Sequence, residues 1–148
     1  MKSIALGLLL GFMASQVSAA EGQWLTDLGK AQEKAKAEKK MVFVDFTGSD
    51  WCPPCQALHK NILTSEEFIN YAKDNLVLVE VDFPRRKAQA TELKKANEAL
   101  AKKYHVESFP TVIVFDSQGK ELKRDDKGYD SSVKAKEYVA RLKNLQKT

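Results

Sequence analysis

Three short runs dominated by apolar residues, spaced apart by helical patterns, restrict this chain more than any other feature. "MVFVDF" (Met41 to Phe46), "LVLVEVDF" (Leu76 to Phe83) and "TVIVF" (Thr111 to Phe115) read as strands, the first as one buried on both faces. Ahead of them, Leu25, Leu28, Ala31 and Ala35 recur at three- and four-residue steps, so Gln23 to Lys39 reads as an amphipathic helix. "TSEE" (Thr64 to Glu67) has the spacing of a capping box and predicts a short helix through about Lys73. Leu93, Ala96, Leu100 and Tyr104 mark one face of a helix starting near Ala88, and strand-helix-strand alternation of this kind predicts parallel pairing. "DSQG" (Asp116 to Gly119) supplies turn residues, after which "KELKR" (Lys120 to Arg124) returns as an antiparallel edge strand whose charges discourage further pairing. Asp130 or Ser131 caps a last helix with the stripe Ala135, Tyr138, Val139, Leu142 and Leu145. The fold class is therefore α/β, a central mixed four-stranded sheet with helices on both faces.

A chain of 148 residues, 43% hydrophobic and 30% charged, suits one domain with one core. Its start, "MKSIALGLLLGFMASQVSAA", has a lysine, an apolar run from Ile4 to Ala14, and the small-residue pattern Val17-Ser18-Ala19 that a signal peptidase reads. Residues 1–19 thus read as a signal peptide, 20–40 as an N-terminal helical segment and 41–148 as the main domain. The apolar run falls short of the ~20 residues that span a bilayer, which disfavours an uncleaved anchor and stable membrane insertion. The expectation is an exported protein, secreted or in a bacterial periplasm, where the redox poise is oxidising. Loss of the leader removes one lysine and no acid, leaving 23 basic against 20 acidic residues. That charge is too mild to imply nucleic acid. Only "PRRK" (Pro84 to Lys87) forms a local basic knot; a solvated loop is the plainer reading of it, and a docking site for an acidic partner the alternative.

The only two cysteines stand in "GSDWCPPCQALHK", with two prolines between them. A structural zinc site wants four ligands, and beyond Cys52 and Cys55 the chain offers only His59 and His105, without paired spacing, so no metal is expected and both histidines read as surface or helix-end residues. A structural staple gains little here, because closing a four-residue loop is worth only about 2 kcal/mol in the chain-entropy view. Redox chemistry suits the local geometry better. If a helix begins at Cys52 or Pro53, Cys52 sits at a helix N-terminus, where unpaired amides and the dipole favour the nucleophilic thiolate. Pro53 and Pro54 are tolerated in a first helical turn and stiffen the loop. A spacing of three brings the sulfurs onto one face, about 5 to 6 Å apart at the Cβ level, so a disulfide forms and breaks with little backbone motion. Cys55, one turn inside the helix, is then the shielded thiol that resolves a mixed disulfide.

With "WCPPC" (Trp51 to Cys55), "VDF" (Val44 to Phe46) on the preceding strand, "FPTVIVF" (Phe109 to Phe115), the "DSQGKE" turn and a final amphipathic helix, the sequence resembles the thioredoxin family over roughly Met41 to Leu145. The wording "DFTGSDWCPPC" and "VDFPRRK" is most similar to exported single-domain thioredoxin-like proteins of bacteria. The resemblance implies a thioredoxin fold and thiol:disulfide exchange through Cys52 and Cys55, with no cofactor beyond that pair. It implies a buried Asp45 that accepts the proton of Cys55, its pKa raised by desolvation. It implies a cis-proline at Pro110, with Phe109 and Trp51 lining the substrate contact. Trp24 reads as packing from the first helix, and Ser49 and Asp50 as solvated loop residues. A proline just before the second cysteine is the reductase-like pattern of the family, which favours reduction of exported thiol and disulfide proteins over oxidation, isomerisation or a binding scaffold without turnover. A reductase in an oxidising compartment needs electrons from elsewhere, so a membrane-embedded donor is the expected partner, and a monomer the expected state.

Overall fold

The apolar runs become the centre of one sheet in the computed structural model, which describes residues 23–147; the expected leader, Met1 to Ala19, lies outside them. Its elements are β1 (Trp24–Leu25), α1 (Leu28–Glu38), β2 (Met41–Thr47), α2 (Pro53–Leu58), α3 (Glu66–Asn75), β3 (Leu76–Asp82), α4 (Thr91–Lys103), β4 (Thr111–Phe115), β5 (Glu121–Asp125) and α5 (Ala135–Leu145). The sheet has five strands, not four, in the order β1-β3-β2-β4-β5. β1 and β2 run parallel to β3, while β4 is antiparallel to β2 and β5 to β4. The mixed α/β architecture is the expected one.

The additional strand comes from residues expected to be helical. Trp24 and Leu25 pair with Leu78 and Val79 on the open edge of β3, so their apolar side chains serve a strand, and α1 begins only after the Asp27 carboxylate accepts the Lys30 amide at 3.0 Å. Trp24 packs edge-on against Phe43 from this strand rather than from a helix. Ser65, not Thr64, caps α3, its hydroxyl accepting the Phe68 amide. α4 starts at Thr91, three residues after Ala88, and on it Ala96 is exposed while Asn97 is buried, donating to the Asp82 carbonyl at 2.9 Å. α5 has no side-chain cap; Asp130 instead accepts from the amide and hydroxyl of Ser132 in the preceding turn.

Alternation along β2 assigns its two faces. Val42, Val44 and Phe46 join Leu28, Ala31 and Ala35 of α1 in one apolar cluster, with Leu100 and Tyr104 of α4 packed against it. Met41 and Phe43 join Leu58 of α2, Phe68 of α3 and Val139 and Leu142 of α5 in the other. On that second face the strands change character along their length. β2 reads Met41, Phe43, Asp45, Thr47 and β3 reads Leu76, Leu78, Glu80, Asp82. The parallel register sets Asp45 beside Glu80 and Thr47 beside Asp82. Apolar halves thus hold the core, and the polar halves meet at the carboxyl ends of the strands, where α2 begins.

Candidate active site at the Cys52–Cys55 pair

Cys52 is the N-cap of α2, with extended backbone dihedrals and Pro53 and Pro54 as the first two helical residues. The extended conformation follows from the proline behind it, and the prolines fit because the first helical amides have no partner inside the helix. Cys52 and Cys55 form a disulfide with their Cα atoms 5.3 Å apart, and both are buried, at 4% and 2% exposure. Past Cys55 the helix runs on into a π-helical segment, His59–Leu63. The Phe109–Pro110 peptide is cis, and the Phe109 carbonyl oxygen lies 3.7 Å from Cys52 Sγ. The loop before β4 therefore faces the cysteine pair, and Phe109 and Pro110 stand beside it.

Asp45 and Cys55 line one cavity of about 280 Å³, together with Thr47, Ser49, Gln56, His59, Glu80 and Lys87. Among the described residues, Asp45 Oδ1 has no hydrogen-bond partner. Burial, and then the neighbouring Glu80 and Asp82 carboxylates, push the Asp45 pKa up to about 8. Glu80 is raised in the same way, by burial first and then by Asp82. Lys87 closes the group from the solvent side, its ammonium 3.0 Å from the buried Asp82 carboxylate, and this contact holds the lysine charged. Glu80, Asp82 and Lys87 were not legible as site residues one at a time. The signal for them is positional: on β3 the α2-facing alternation breaks from leucine to acid at the residues opposite Asp45 and Thr47.

Ser49 and Asp50, expected to be solvated loop residues, keep partial exposure and also form the joint between the cysteine loop and the end of β3. Ser49 donates to the Asp82 carboxylate from its amide at 3.0 Å and from its hydroxyl at 2.6 Å. Asp50 accepts three successive amides, those of Arg85, Arg86 and Lys87, at 2.8 to 2.9 Å, and the first of these bonds is the main reason its pKa falls to about 2. Trp51 donates from its indole nitrogen to the Phe83 carbonyl at 2.7 Å. Its ring meets Phe109 edge-on at 6.1 Å, and Phe109 stacks on Phe83 at 4.9 Å. Gly48 lets the indole lie close, since a Cβ there would fall 2.5 Å from a Trp51 ring carbon, and the Gly48 amide points at Cys55 Sγ at 3.5 Å. The result is a buried disulfide with an aromatic lip outside and an acidic cavity behind.

The profile of the family described as "Thioredoxin-like domain" matches residues 28–146. The chain is 37% identical over 131 residues to the disulfide bond reductase DsbH of Chlamydia pneumoniae, an alignment covering 88% of this chain and 76% of that protein. A solved structure of a DsbH oxidoreductase superposes with a TM-score of 0.78 at 34% identity, covering 96% of this chain and 95% of the other. The chain is also 32% identical over 96 residues to the thiol:disulfide interchange protein DsbD of Actinobacillus pleuropneumoniae; that match takes in 64% of this chain and 15% of the longer protein.

Proposed function

Because this chain belongs to the thioredoxin-like family, has its fold and is a thiol:disulfide oxidoreductase of the Dsb type, we propose that it works as a reductase on disulfides of exported proteins. The observation that carries this reading is the Cys52–Cys55 bridge at the start of α2, set against the Phe109 carbonyl on one side and the Asp45 cavity on the other. Similarity to a protein named as a disulfide bond reductase supports the direction, and the leader-like first 19 residues support export. No helix among the described residues is long and apolar enough to cross a membrane.

In the reduced protein the Cys52 thiolate attacks one sulfur of a substrate disulfide. The second substrate sulfur leaves as a thiolate and takes up a proton, and Cys52 is left in a mixed disulfide. Cys55 then loses its proton to Asp45 in its ionised form, a minor fraction at pH 7 for a carboxyl whose pKa is about 8, so this step should quicken as pH rises toward 8. Burial raises the Asp45 pKa to about 8, which makes this carboxylate a far better proton acceptor for a thiol than an ordinary aspartate. The Cys55 thiolate attacks Cys52 Sγ, the substrate departs as a second thiolate, and two electrons have passed from the cysteine pair to the substrate. Cys52 and Cys55 themselves carry those electrons, with no bound cofactor in the cycle. Trp51, Phe109 and Pro110 border the path by which a substrate chain reaches Cys52. A dithiol donor, membrane-embedded in this proposal, restores the reduced pair.

Equilibration of the protein from Glu21 onward in glutathione buffers, with the oxidised fraction read by thiol trapping, tests the direction. A reversible two-electron transition near the reducing end, at about −270 mV or below, is expected for a reductase, whereas a midpoint near −120 mV makes the protein a disulfide donor. Cys52→Ser and Cys55→Ser should each abolish the transition.

A further inference from the structure

The basic knot of the sequence is built into the rim of the redox site. The three amides held by Asp50 belong to Arg85, Arg86 and Lys87, and Asp50 is the residue before Trp51. The backbone of this loop is therefore tied to the stretch that carries the nucleophile. Lys87 is committed to Asp82. Arg85 is not: its guanidinium carbon lies 3.5 Å from the centre of the Trp51 ring, and neither Arg85 nor Arg86 forms an ion pair among the described residues. Both are exposed.

Holding the loop does not require this side chain, because the Asp50 bonds and the indole bond to the Phe83 carbonyl already do so through the backbone. A guanidinium lying over an indole has its position set by the ring while its N–H groups, which lie in its own plane, stay available. That is the arrangement in which arginine takes a carboxylate with two parallel hydrogen bonds. Stacking also reduces the rotamer freedom that an exposed lysine would lose on pairing. From this placement we infer that Arg85, seated on Trp51 with Arg86 beside it, docks an acidic side chain next to the reacting cysteine of the substrate, so that the protein selects disulfides flanked by aspartate or glutamate. The inference rests on Cys52 being the attacking sulfur, in whichever direction the exchange runs.

Three single-disulfide peptides, identical except for glutamate, glutamine or lysine two residues from the cysteine, test this with the reduced protein and rapid-mixing kinetics. The glutamate peptide should react about three- to fivefold faster than its glutamine twin at low salt, and the lysine peptide slower. The ratio should fall toward one in about 1 M salt, where screening acts within about 3 Å, and also in R85Q, while R85E should reverse it in favour of the lysine peptide. R85K, which keeps the charge without the planar fork, should retain only part of the preference. Equal rates for the three peptides with the unaltered protein overturn the docking inference and leave the exchange reading standing. A preference that survives in R85Q overturns it as well, by placing the selectivity elsewhere. If the unaltered protein reacts with none of the peptides, the exchange reading falls and the docking inference with it.

Discussion

Asp45 sits where a charge is least welcome, on a strand buried on both faces and beside two other acids. Its position was legible in the sequence, because a single carboxyl between Val44 and Phe46 in an apolar run has to point into the protein. Glu80 was not: in "LVLVEVDF" it looks like an ordinary interruption until the register sets it against Asp45. The raised pKa has a consequence for stability. The unfolded chain releases this proton near pH 4, whereas the folded chain keeps it to about pH 8. Between those values the unfolded state binds fewer protons, so stability is greatest below about pH 4 as far as this group is concerned and falls as pH rises through about 8. Urea unfolding of the oxidised protein at several pH values should show that decline, and Asp45→Asn should make it shallower, with Glu80, which is shifted the same way, still contributing. If wild type and variant decline alike, Asp45 is not the titrating group. The variant should also slow resolution of the mixed disulfide by about 100-fold at pH 7, the lower end of general-base contributions.

At the scale of elements, β2, β3 and β4 could be read because each is a dense apolar run, and α2 because two prolines allow a helix to begin at one place only. β1 could not. Two residues carry no period of their own, and Trp24 and Leu25 are a strand only because the edge of β3 is open to them. The joint formed by the cysteine loop was missed for a related reason. Ser49 and Asp50 look solvated locally, while their partners lie 33 to 37 residues away on and beyond β3. Gly48 shows how tightly the two segments are joined. With the Trp51 indole bonded to the Phe83 carbonyl, a methyl group at position 48 overlaps the ring, and the ring cannot move away without losing that bond and the Arg85 stack. Gly48→Ala should therefore destabilise the protein by about 1–3 kcal/mol, the usual cost of overpacking, as read by urea unfolding. It should also shift the Trp51 emission. A variant with unchanged stability and emission would mean that the loop has more freedom than these contacts allow.

For the molecule as a whole, the direction of electron flow is a question of which redox form the fold stabilises. A helix N-terminus favours the Cys52 thiolate, and so the reduced form, through amides aimed at the sulfur. Here the first two helical positions are prolines and have no N–H to offer, so this site withholds donors that other residues between the cysteines would supply. Behind the pair, Cys55 shares its cavity with Asp45 and Glu80, and the burial that pushes both carboxyls toward their neutral forms disfavours a Cys55 thiolate in the same way. Both features weaken the thiolate and leave the disulfide as the form the fold prefers. Redox potential and folding are linked: each 30 mV by which the folded pair is more reducing than the unfolded one corresponds to about 1.4 kcal/mol of extra stability in the oxidised form. The oxidised protein should therefore resist urea better than the reduced one. Replacing Pro54, which stands where an amide could reach the Cys52 sulfur, with alanine should narrow the gap by restoring a donor, and should raise the midpoint in glutathione buffers correspondingly. A reduced form more stable than the oxidised one would mean that thiolate stabilisation dominates after all, and that the protein hands disulfides on rather than removing them.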